Sequence, residues 1–110
     1  MPGILGTGIQ EGLRLKPVKY QWAMDLYNQA VANTWFPNEI QLGQDLADWK
    51  KMSDEERHAI TFLMSYFNPN ELIVNKALAF GVYPYVNAPE CHLYLAKQMW
   101  EEANHCMSFE

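Results

Sequence analysis

Apolar residues recur at three- and four-residue steps in three stretches of the chain, and polar punctuation separates those stretches, so the pattern predicts helices. The first run is Tyr20, Met24, Tyr27, Ala30, Val31 and Thr34. It predicts a helix from Pro17, a residue suited to a first turn, to the neighbourhood of Trp35-Phe36-Pro37, where the second proline biases Phe36 away from helix. A second helix opens at Ser53-Asp54-Glu55-Glu56, a capping box with Ser53 as N-cap, and continues through Ile60, Leu63, Met64 and Phe67. Asn68-Pro69-Asn70 then either ends that helix or kinks it before residues 71–80 resume, and Gly81 and Pro84 close the segment. Asn87-Ala88-Pro89-Glu90 reads as a second capping box, from which Leu93, Tyr94, Leu95, Met99, Trp100, Ala103 and Phe109 carry a third helix. No terminator follows Phe109, so the pattern predicts the N-terminal part of something longer.

Between the periodic runs, residues 38–51 mix polar side chains with Gly43 and predict a long irregular connection with a helical turn around 45–49. Residues 1–16 hold four of the six glycines and no sustained period, which predicts a flexible arm preceding one domain over 17–110. No alternation of strand period is sustained. The fold class expected is all-α.

Composition narrows the function classes. A chain of 110 residues with 49% hydrophobic and 14% aromatic residues can bury a core. Its net charge of −5 and eight scattered Lys and Arg residues argue against a nucleic-acid surface. No apolar run approaches the ~18 residues of a membrane span, and the first residues lack the basic start and apolar middle of a signal peptide. A soluble cytoplasmic protein is the expectation. Cys91 and Cys106 fall about 22 Å apart along one helix, beyond bridging distance, and should be reduced thiols.

Three residues bring chemistry into this picture. On a helix, Glu102 and His105 lie ~60° apart and Phe109 returns to within ~20° of Glu102, so carboxylate, imidazole and ring share one face. A Glu-x-x-His pair on an inward-facing helix is the half-site of carboxylate-bridged di-metal centres in helical bundles. Glu71 strengthens that reading, because Met64, Phe67, Val74 and Leu78 flank it in an apolar stripe with no Lys or Arg one turn away. The alternatives stay open: Glu71 as a cap after Pro69, His105 as a hydrogen-bonded core histidine. Glu101, paired with Lys97, and His58 and His92 read as surface residues.

Glu71, Glu102 and His105, with Trp35 before them and Phe109 after, together resemble the N-terminal half of the small, radical-generating subunit of class I ribonucleotide reductase. Trp35-Phe36-Pro37-Asn38-Glu39-Ile40 is similar to the family's Trp-x-Pro segment, Asn70-Glu71-Leu72-Ile73-Val74 to its first-ligand helix, and Trp100-Glu101-Glu102-Ala103-Asn104-His105 to the helix bearing Glu-x-x-His. The separation of Glu71 from Glu102 also matches. The resemblance implies a partial ferritin-like bundle, limited to the N-terminal helices, with Glu71 and His105 on one metal ion and Glu102 bridging to a second. The second ion's remaining ligands would come from helices beyond Glu110.

By the same resemblance Trp35 carries an oxidising equivalent towards a large catalytic subunit that makes deoxyribonucleotides, and the small subunit is a homodimer. Phe109 stands where the family usually has its radical tyrosine, as in the tyrosine-less class Ic subunits. That implies a manganese/iron centre storing the equivalent itself, with iron/iron or manganese/manganese as alternatives. Two other functions fit the bare residues: a ferritin-like ferroxidase or ligand-binding oxidase, and a helical interaction module without metal.

Overall fold

The computed structural model describes residues 4–6 and 14–109. Helices dominate, and no strand occurs among the described residues. The order is α1 (Gln21–Ala32), a 3-10 turn (Pro37–Glu39), α2 (Gly43–Lys51), α3 (Asp54–Ala77), a π-helical turn (Leu78–Val82), a second 3-10 turn (Tyr83–Tyr85) and α4 (Pro89–Phe109). The body is long and thin, 61 × 25 × 16 Å. Helix α4 lies at its centre, against α3 on one side and α1 on the other. The fully buried apolar residues are few, Ala23, Ala88 and Leu95, and none of them is on α3.

The capping box at the start of α3 forms as expected: Ser53 Oγ accepts from the Glu56 N–H at 3.1 Å, and Glu56 Oε2 accepts from the Ser53 N–H at 3.0 Å. Of the two fates open to Asn68-Pro69-Asn70, the structure takes continuation. Pro69 removes one backbone donor, yet the helix runs 24 residues to Ala77 before loosening into the π-helical turn.

Two expectations about element limits need correction. Helix α1 starts at Gln21, not Pro17, because the Tyr20 N–H is drawn 2.8 Å from Glu90 Oε2 rather than into a helical turn. Residues 38–51 are largely ordered, with α2 in place of an irregular connection. No residue of α2 is buried, so no apolar stripe marks it in the sequence. Its signals are local: Asp45 in the first turn, Lys50 and Lys51 in the last, and Gln44 Nε2 donating to Asp48 Oδ1 at 3.0 Å.

The second capping box does not form. Glu90, 1% exposed, spends its carboxylate on Tyr20, and Asn87 Oδ1 is buried without a hydrogen-bond partner among the described residues. The backbone explains this. Most of the stretch expected as an arm lies outside the described residues, but residues 4–6 run antiparallel to 85–87, with Gly6 N–H donating to Tyr85 O and Asn87 N–H to Ile4 O. Asn87 is thereby held in a bridge instead of a cap. Gly6 has φ +147, a conformation that favours glycine.

His92, expected at the surface, is half-buried, its Nε2 against the Val86 carbonyl and its ring stacked on Tyr83 at 4.4 Å. Both cysteines are free, and burial followed by the Glu90 charge pushes the Cys91 thiol up, which keeps it protonated. No helix among the described residues is long and apolar enough to cross a membrane.

Candidate metal centre

Helices α3 and α4 are tied by side-chain hydrogen bonds on both sides of Glu71. One turn before it, Cys106 Sγ donates to Asn68 Oδ1 at 3.0 Å; one turn after it, Asn75 Nδ2 donates to the Met99 carbonyl at 2.7 Å. The two links keep one antiparallel register. In that register Glu71 falls opposite the turn 102–105, and an i, i+3 pair on α4 presents both of its side chains to it. Phe67 and Phe109 continue the register on a third rung, their rings stacked at 6.4 Å.

The three candidate ligand side chains meet there. A carboxylate oxygen of each of Glu71 and Glu102 and a ring nitrogen of His105 all lie within 4.8 Å of one another. His105 Nδ1 is 3.3 Å from Glu71 Oε2 and 3.6 Å from Glu102 Oε2. The carboxylates are 19% and 16% exposed and the imidazole 38%, so the acids are the more enclosed members. Burial raises the Glu102 carboxyl above its ordinary range, and the Glu71 carboxylate raises it further against the opposing pull of His105. Two acids and one imidazole with no Lys or Arg among their ion pairs are short of positive charge.

A divalent cation would supply it. Two donors each about 2.1 Å from a divalent ion lie no more than about 4.2 Å apart, which the two His105 distances satisfy. Oxygen and imidazole donors suit manganese and iron, so this donor set fits half of a carboxylate-bridged metal pair.

Comparison with known proteins agrees with this geometry. The family profile "Ribonucleotide reductase, small chain" matches residues 13–110. The chain belongs to the ribonucleotide reductase small-chain family. It is 33% identical over 98 residues to the ribonucleoside-diphosphate reductase subunit beta of Chlamydia pneumoniae, covering 87% of this chain and 28% of that protein. It is 34% identical over 96 residues to the ribonucleoside-diphosphate reductase small subunit of Dictyostelium discoideum, covering 86% and 28%. Among solved structures, the ribonucleotide reductase R2 subunit from Clostridium botulinum superposes with a TM-score of 0.86 at 28% identity, over 98% of this chain and 34% of that one. The ferritin-like helical fold is therefore shared, and the chain spans about a third or less of the length of these relatives.

Of the remaining candidate residues, Trp35 meets the cluster, whereas Phe109 stacks on Phe67 one rung away. Trp35 stacks on His105, ring centroids 6.2 Å apart and planes 17° from parallel. Phe109 borders a groove of about 370 Å³ with Trp49, Met64 and Asn68 among its walls. Glu101 needs correction: it holds Lys97 at 2.7 Å with both side chains mostly covered, and the Lys97 ammonium also sits 3.8 Å over the Trp100 ring. His58 is exposed, as expected. Sequence reasoning missed Asn68, Asn75 and Asn104. Their signal was faint: Asn104 has Glu101 and Ser108 as well as Trp100 and Met107 one turn away, and Asn75 has Glu71, so no clean apolar stripe marks either amide as one that needs a buried partner.

Proposed function

We propose that this chain supplies the first half-site of the dinuclear metal centre in the small subunit of a ribonucleoside-diphosphate reductase. The observation that carries the reading is the convergence of Glu71, Glu102 and His105 Nδ1 within 4.8 Å on a fold shared with an R2 subunit. In the proposed assignment Glu71, Glu102 and His105 would be this chain's ligands to the metal pair. When bound, the metal pair activates dioxygen and stores an oxidising equivalent. The residues of this chain then have separate tasks. The Asn68–Cys106 and Asn75–Met99 hydrogen bonds hold the two carboxylates in register. Trp35, in ring contact with His105, would be the residue through which an oxidising equivalent leaves towards a large catalytic subunit. A homodimeric, cytoplasmic enzyme acting in deoxyribonucleotide synthesis follows from the same reading.

Phe109 favours manganese/iron as the metal pair. It stands four residues after His105, carries no hydroxyl to oxidise, and rests on Phe67 rather than on a polar neighbour. With no phenol at this position, the metal pair would supply the store for the oxidising equivalent. The test is metal analysis with electron paramagnetic resonance on a whole small subunit containing this chain, after aerobic loading with manganese and iron. The reading expects a coupled pair with one ion of each kind and no tyrosyl signal; a tyrosyl radical, or protein that retains neither metal, overturns it.

A further inference from the structure

Trp35 and Phe36 lie between α1 and the first 3-10 turn, outside any regular hydrogen-bonded ladder. Glu39 holds the Phe36 backbone from both sides, its Oε2 accepting from the Phe36 N–H at 3.2 Å and its N–H donating to the Phe36 carbonyl at 3.0 Å, but these bonds do not reach the Trp35 carbonyl. Helix α4 does so from one face. Asn104, only 6% exposed, donates from Nδ2 to the Trp35 carbonyl at 2.9 Å. One turn earlier on that face, Trp100 receives the Phe36 ring edge-on at 5.9 Å. The amide lies next to His105 in sequence, so the helix that presents the imidazole also pins the peptide whose indole covers it.

We infer that Asn104 is a positioning residue: its buried amide fixes the Trp35 indole over the His105 imidazole. The physical need is specific. An apolar residue of the same size would leave the Trp35 carbonyl without its donor beside α4, and the loop would swing to find water. The ring pair would then lose its offset-parallel geometry, since a contact of this kind contributes too little to hold an irregular segment alone. The functional consequence rests on the proposed reading of Trp35 as the hole-transfer residue. A displaced indole in the holoenzyme would slow transfer by on the order of tenfold to a hundredfold, while metal content stays unchanged.

The deciding experiment needs no metal. In the metal-free protein the Asn104 side-chain amide should exchange with solvent about fivefold to thirtyfold more slowly than an exposed asparagine. Nuclear Overhauser contacts between the Trp35 and His105 rings should be present. In Asn104→Leu those contacts should vanish while the contacts of the distant Tyr83–His92 ring pair persist, which shows that the fold survives. Ring contacts retained in Asn104→Leu overturn the inference. Should that variant fail to fold, the wild-type exchange rate decides: exchange as fast as at an exposed asparagine overturns it, and protection supports it. Loss of the ring contacts with no effect of Trp35→Phe on hole transfer would support the positioning role and reject the transfer reading.

Discussion

Helix α4 carries two enclosed carboxylates with no Lys or Arg ion pair among the described residues, one near each end, and they have opposite characters. Glu90 at the N-terminal end is 1% exposed and accepts the Tyr20 N–H, so its charge sits at a helix start and on a backbone donor. Glu102 at the other end is 16% exposed, yet it faces a second carboxylate and an imidazole. Glu90 is buried more deeply and is the better satisfied. The lesson is that partners, not depth, separate a structural acid from one arranged to take a cation.

The contrast is open to attack from either end. The largest effect is expected from Glu90→Ala, which strands the Tyr20 N–H and opens a buried void: urea denaturation should show a loss of about 3 kcal/mol. Metal affinity of the fraction still folded should be unaltered. Glu71→Gln should do the reverse, lowering Mn(II) affinity by about a hundredfold or more, the upper range for losing an outer-shell partner. Its stability without metal should match or exceed the parent's, because a like charge next to Glu102 is gone.

A smaller effect tests the register. Asn75→Leu removes the link to the Met99 carbonyl and should cost about 1 kcal/mol in thermal or urea unfolding. Acidity sharpens the comparison further. The folded protein holds the Glu102 carboxyl above its ordinary value of 4.5, so this group favours folding below that value and loses the advantage as pH rises through the higher folded value. Unfolding curves of the metal-free parent and Glu102→Gln should therefore separate as pH rises above about 4.5, with the parent relatively weaker. The smallest effect belongs to Phe109→Tyr, with a change in stability within about 0.5 kcal/mol and metal content unaltered, because the ring stacks on Phe67 and is not a ligand.

Much of the site was legible in the sequence because Glu-x-x-His is a local code: helical spacing alone puts Glu102 and His105 on one face. Glu71 was legible as an acid without a cation in an apolar stripe. The course of the chain through Pro69 was not, because proline weighs equally as a stop and as a kink, and continuation rests on tertiary links such as Asn68–Cys106. Helix α2 was hidden by having no buried face. The misread capping box at Asn87 shows the same limit, since Ser53-x-x-Glu56 and Asn87-x-x-Glu90 look alike and only contacts far away in sequence, from Tyr20 and residues 4–6, tell them apart.

The central claim is that Glu71, Glu102 and His105 form one cation site. Diffraction from crystals grown with saturating Mn(II), recorded at the manganese absorption edge, tests it most directly. The account predicts an anomalous peak bonded to a carboxylate oxygen of Glu71, a carboxylate oxygen of Glu102 and Nδ1 of His105. A manganese peak elsewhere with this cluster vacant, or an imidazole turned so that Nδ1 faces away from both acids, would contradict it.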